Sequence, residues 1–308
     1  MRISIWLGIL GALAVTSAEA TEPNVSVVVS QSIEPYLEAS EGIQEALQAA
    51  GMRVGFDLHD MRGDPGEGAR IAAELMKRKP SLIITVGTEA SRLISEQTEG
   101  IPIIVSMVIH AEALVVGGKS VGGVSMEVSA LEQLRVLPDV LPAAKRVGLV
   151  YNPALHEPEA IGRWQEAARQ LGLELAIEPV EDMKDLPSRL QTLLPAIDAF
   201  WLIPDETALA PQTIRHIMLE TLRRRIPVFA PSLRFVQEGA LAAVACDYRD
   251  VGRQAGELAA HLLSGRTLDS GRLLDARKSK LYLNLKIAKT LDIVMPASLM
   301  TRADHVVR

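Results

Sequence analysis

From Val25 onward, short apolar runs alternate with longer stretches in which apolar residues recur at helical spacing. Residues 25–29, 82–86 and 101–106 are compact and almost wholly apolar, the signature of strands buried on both faces, and 53–58 reads as a further strand. Between them, 35–50, 64–79 and 88–96 have helical periodicity, and the first of these stops at Gly51, a residue suited to the position just past a helix end. The rhythm then restarts. Helices are predicted at 129–141, 157–171, 186–194 and 211–224, and strands at 146–151, 173–178, 199–203 and 227–230. Two such series predict an α/β protein with two doubly wound, Rossmann-like parallel-sheet lobes, divided near 117–125, where paired glycines punctuate the chain. A strand-like run at 240–247, a helix at 249–263, a turn at 265–271 and a strand–helix pair through 281–291 complete the pattern. Crossings between lobes near Asp247 and near Gly271 would make a three-strand hinge, which restricts the lobes mainly to opening and closing.

The N-terminus has a different grammar. Arg2 precedes an apolar run from Ile5 to Val15, and Ala18-Glu19-Ala20 follows with small residues where a signal peptidase reads. The run is about half of the roughly 20 residues needed to span a bilayer, so a cleaved signal peptide over 1–20 is expected rather than an anchor. The sole cysteine, Cys246, lies far from that point, so a lipid anchor is not expected, and one cysteine cannot form an internal disulfide. The expected location is therefore the periplasm or the exterior. With 48% hydrophobic residues over 308 positions, the chain can stabilise itself with ordinary cores. The formal charge of −6 argues against nucleic acid, which a basic face would serve.

No H-E-x-x-H occurs in the sequence, and the six histidines hold no pair at a metal-ligand spacing. Gly63-x-x-Gly66-x-Gly68 follows a polar turn and not a strand, so it is no nucleotide fingerprint. Cys246 sits in an Ala/Val-rich strand, where a buried inert thiol is expected. No enzyme activity and no cofactor or metal are predicted.

The segments Arg146-Val-Gly-Leu-Val-Tyr-Asn-Pro153, Arg225-Ile-Pro-Val-Phe-Ala230, Gly239-Ala-Leu-Ala242, Asp247-Tyr-Arg-Asp-Val-Gly-Arg-Gln254 and Asn284-Leu-Lys-Ile-Ala-Lys-Thr-Leu291 together resemble the ABC-transporter substrate-binding family that includes tryptophan- and tyrosine-type binders. The resemblance implies a type I periplasmic-binding-protein fold, with 24–122 plus 247–268 forming the N-terminal lobe and 123–246 plus 269–308 the C-terminal lobe. It also implies capture of a small ligand, such as an amino acid, and delivery to the membrane permease of an ABC importer by a monomer. A sensor on the same fold, signalling to a membrane receptor, is the alternative. The compact stretch 111–123 and Ile203-Pro-Asp-Glu-Thr207 depart from the amino-acid binders, and both fall near the expected cleft.

In open α/β sheets, ligands bind beyond the carboxyl ends of strands, where helix N-termini present free N–H groups. That rule selects Ser30, Gln31, Gly87, Thr88 and Ser106 in the first lobe, and Tyr151, Asn152, Asp205 and Ser232 in the second. Asp247 falls at a hinge crossing and can instead serve only to fix it. Thr88 is expected to cap its helix whether or not it meets ligand, Asn152 can simply start a turn before Pro153, and Asp205 can cap or bind. Asp205→Ala is expected to lower ligand affinity without unfolding the protein. Tyr151 and Tyr248 can stack on a flat ligand, whereas Trp201 is expected in the core.

Overall fold

The apolar runs do become strands, and the computed structural model, which describes residues 22–109, 122–268 and 272–308, places them in two sheets. The first series is β1 (Asn24–Val29), α1 (Glu34–Ala49), β2 (Gly55–Asp60), α2 (Pro65–Arg78), β3 (Leu82–Val86), α3 (Thr88–Gln97), β4 (Ile103–Val108) and β5 (Gly122–Ser125). The second is α4 (Ala130–Leu134), α5 (Leu137–Val140), β6 (Arg146–Tyr151), α6 (Pro158–Gln170), β7 (Glu174–Pro179), α7 (Leu186–Leu193), β8 (Ala199–Trp201), α8 (Pro211–Arg223), β9 (Val228–Ala230), α9 (Leu233–Glu238) and β10 (Ala242–Cys246). The chain ends with α10 (Tyr248–Leu263), β11 (Arg272–Leu274), β12 (Ser279–Asn284), α11 (Leu285–Thr290), α12 (Ala297–Arg302) and β13 (His305–Val307).

The six-stranded sheet has the order β11-β5-β4-β3-β1-β2, every pair parallel. The seven-stranded sheet has the order β13-β12-β10-β9-β8-β6-β7, parallel except where β12 runs against β10. Each sheet is covered on both faces, so each lobe holds two apolar clusters, and strands such as β3 and β4 are buried along their whole length. This is the type I periplasmic-binding-protein architecture, two lobes joined by three crossings.

The sequence-based boundaries change in three places. The first sheet runs to Ser125, past the expected division at 122/123. Arg272–Leu274 pairs with β5 in that same sheet and does not join the second lobe, as the range 269–308 implied. The third crossing therefore lies at 275–278; Gly271, where it was expected, is outside the described residues. The helix expected over 129–141 is two short pieces, because Pro138, which has no N–H to give, begins a second helix in its first turn.

Helix α10 returns from the second lobe to lie on α1. Gly42 and Gly252 let the two backbones touch: a Cβ on either would collide with the carbonyl of Arg249 or of Ala39. Glu45 then receives hydrogen bonds from Arg249 and Arg253 on the outer edge of the same pair.

Candidate functional site

Strand order reverses between β1 and β3 in one sheet and between β6 and β8 in the other, and crevices open at such reversals. In the first lobe, Ser30 ends β1 and reaches across to the next strand, its hydroxyl donating to the Val86 carbonyl at 3.3 Å and accepting from the Ala90 amide at 2.9 Å. The N-cap of α3 is Gly87, at φ +96°, a left-handed conformation that favours glycine. A Cβ there would lie 2.6 Å from the Ser30 hydroxyl and 2.8 Å from the Tyr36 ring, so backbone, serine and tyrosine meet at one point. Thr88 is the first helical residue and exposed, and makes no cap, which corrects the capping role expected of it. Gln31 is exposed beside the Gly63 turn. Ser106 is fully buried, its carbonyl accepting from Gly87 N–H at 2.9 Å and its hydroxyl without a partner. Just beyond it, Met107 takes φ +57° at a register shift between β4 and β5, a strained geometry for a buried methionine.

In the second lobe, Asp205 is the organiser. Its side chain is completely buried, one oxygen accepting from the Ala208 amide at 2.8 Å, the other from the Asn152 amide at 2.8 Å and from His156 Nε2 at 2.9 Å. Asn152 ties the same loops together a second time, its amide donating to Thr207 Oγ1 at 2.9 Å while its carbonyl oxygen accepts from Ala154 N–H at 2.9 Å. Asp205 and Asn152 thus weld the loop after β6 to the loop after β8. Burial by itself raises the Asp205 pKa, but the hydrogen bonds from His156, Asn152 and Ala208 outweigh it and hold the group below its ordinary value. With both oxygens engaged, the expected role of Asp205 as a ligand contact gives way to a structural one. His156 packs edge-on to Trp164, centroids 5.0 Å apart, and Trp164 meets Tyr151 and Trp201 in turn. Trp201 is core, as expected, its indole N–H donating to Gln133 at 3.0 Å. Ser232 is half-buried at the N-cap of α9 without a side-chain cap bond.

The hinge joins these halves. Asp247 caps α10 by accepting from the Asp250 amide at 3.2 Å, and Lys280 on β12 lies 3.3 Å from Asp247 and 4.0 Å from Glu38 on α1. Next to it, buried Asp250 accepts from Arg277 at 2.8 Å and pairs with Lys278 at 3.2 Å, while Gln254 holds the backbone of Asp275 and Arg277. Burial raises the Asp250 pKa, yet Arg277 and Lys278 together hold it below its usual value. Desolvation pushes the Cys246 thiol and the Tyr282 phenol each up to about 12, and raises Tyr248 as well, so the thiol is unreactive and both phenols stay protonated at neutral pH. His156, Tyr36 and Lys280 were invisible as site residues in the sequence, because only the packing of loop on loop and lobe on lobe brings them in; Thr207 fell within the segment expected near the cleft. Among the described residues, no group of three or more His, Cys, Asp or Glu is placed to hold a metal ion, and no helix is long and apolar enough to cross a membrane.

Residues 24–307 match the family model described as ABC transporter substrate binding protein. The chain belongs to that family. This substrate-binding protein is 24% identical over 281 residues to the tyrosine-binding protein of Clostridioides difficile (strain R20291), covering 87% of the chain and 81% of that protein. Among solved structures, it is similar to the ligand-free, open form of a substrate-binding protein with adhesive properties from Clostridium difficile (TM-score 0.76, 20% identity, covering 92% of the chain and 99% of the other). It is also similar to an ABC domain in complex with L-Trp from Streptococcus pneumoniae (TM-score 0.67, 21% identity, covering 93% and 100%). These structural likenesses establish the fold; the family match establishes a solute-binding protein of the ABC-transporter class.

Proposed function

We propose that this protein captures a small organic solute between its lobes outside the cytoplasm and hands it, closed, to the permease of an ABC importer. The observation that carries the reading is topological: β5 and β10 lead from their carboxyl ends straight into crossings. Both switch-point crevices therefore open on the hinge side, one floored by Ser30, Gly87 and Tyr36, the other by Asn152 and Thr207. A solute that touches both walls is bound more tightly in the closed form, and that difference in affinity drives closure. The tyrosine and L-Trp named for two relatives make aromatic amino acids the first solutes to test. The amino-terminal pattern supports export with cleavage after Ala20; residues 1–21 lie outside the described structure.

The test is a thermal-shift screen of the mature chain over amino acids, sugars, nucleobases and small organic acids. A true ligand at 100 times its Kd should stabilise by about 2.7 kcal/mol, and the shift should grow with concentration. Uptake of that ligand should fall when the gene is deleted. Absence of any shift across the panel overturns solute capture, and normal uptake in the deletion strain overturns delivery.

A further inference from the structure

The chain has only four tyrosines, and three of them, Tyr36, Tyr248 and Tyr282, converge on the hinge. One ammonium group shows this. Lys280 faces Glu38 and Asp247, so it ties together the three elements that carry the rings: α1 with Tyr36, the start of α10 with Tyr248, and β12 with Tyr282. Tyr282 lies two residues beyond Lys280 and therefore on the same face of β12. Tyr36 reaches the other way, against Gly87 at the switch point of the first sheet. Tyr36 and Tyr248 pack on the same cluster of the first lobe as Ile104, whose face of β4 Ser106 shares.

Among the described residues, the hydroxyls of Tyr36, Tyr248 and Tyr282 enter no hydrogen bond and stay open to water, whereas the fully buried Ser106 hydroxyl has no partner at all. Phenols of this kind ordinarily find partners, and a donor shut away from water without one costs about 1–3 kcal/mol. Closure of the lobes removes water from this floor, so whatever fills it must bring acceptors. Its charges are already paired, Lys280 with Glu38 and Asp247, and beside them Asp250 with Arg277 and Lys278, so the floor offers no spare charge to a solute.

We infer that Tyr36, Tyr248 and Tyr282 form a ligand-gripping floor at the hinge, which receives the flat, uncharged, acceptor-bearing end of the solute. This rests on the solute-capture reading and adds to it the residues that select the ligand and the end of the ligand they select. Rigid rings supply contact area at little entropic cost, and their hydroxyls supply donors, which suits a planar heteroatom-bearing ring. Any charged end of the solute then points away from the hinge, toward the switch-point loops.

The test uses the mature chain and its Tyr36→Phe, Tyr248→Phe and Tyr282→Phe variants, which keep the rings, with Tyr151→Phe as comparison. Probes are L-tryptophan, L-tyrosine, hypoxanthine and nicotinamide against L-leucine and D-ribose, titrated calorimetrically. The expected result is that a ring-bearing probe binds, that at least one hinge variant loses about tenfold in affinity, and that Tyr151→Phe loses less. A near-UV difference spectrum of the wild-type phenols on adding that probe gives the same answer without relying on a variant's folding. Equal affinity in all three hinge variants with a flat difference spectrum overturns the floor while leaving solute capture intact. Binding of leucine or ribose in preference to every ring overturns the ligand class, and binding of none of the six overturns the floor's selectivity for rings; only failure of the wider thermal-shift screen removes solute capture itself.

Discussion

At the residue scale, Asp205 shows how a side chain with ligand-like credentials can be spent on architecture. It lies in the loop that follows β8 at a switch point, as the ligand rule asks, but three donors inside the protein occupy it. Asp205→Asn should therefore lower the unfolding free energy by about 1–3 kcal/mol in urea titrations at neutral pH. Its folded pKa is lowered, so the stabilisation is complete above the unfolded value of about 3.9 and disappears as pH falls through the folded value. The gap between wild type and variant should narrow over that acid range; a gap independent of pH would show that the carboxylate charge is not what matters. Gly87→Ala should cost about 1–3 kcal/mol by the same measurement, because the new methyl must both hold φ +96° and displace Ser30 or Tyr36. The sequence showed which residues stand at strand ends, since that follows from local pattern. It did not show which of them are satisfied by neighbours: Asn152 and Asp205 meet only because loops 53 residues apart fold against each other.

At the scale of elements, the period of the apolar positions was enough to place the central strands of both sheets and most helices, because a doubly buried strand must be apolar throughout. What escaped was short or set by tertiary pairing: β5, β11, α9, α12 and β13 have three to six residues each, too few for a period to declare itself. The α1–α10 contact was equally silent, although its glycines are plain in the sequence. Gly252→Ala should push the two helices apart and cost about 1–3 kcal/mol in chemical unfolding, whereas Gly162→Ala on α6, where a Cβ meets nothing within 4 Å, should be neutral or slightly stabilising.

At the scale of the molecule, the third crossing is a strap pinned to the first lobe. Arg277 bridges Asp250 and Glu257, and Gln254 grips the strap's backbone on both sides, so free rotation can begin only beyond Lys278. Arg277→Gln should loosen that attachment: the spread of interlobe distances, measured with spin labels on α2 and α8, should broaden, with a stability loss of about 1–3 kcal/mol. An unchanged distribution would move the pivot elsewhere. The interleaving of the lobes also governs the order in which the chain can fold. The first sheet waits for Arg272–Leu274 and for α10 to cover α1, and the second waits for β12 and β13. Neither lobe can complete its sheet from one continuous stretch of chain, so folding depends on contacts between residues far apart in sequence and should be slow. That delay is written into the topology, and for a chain exported as proposed above it would lengthen the time spent in a form that can be threaded through a membrane.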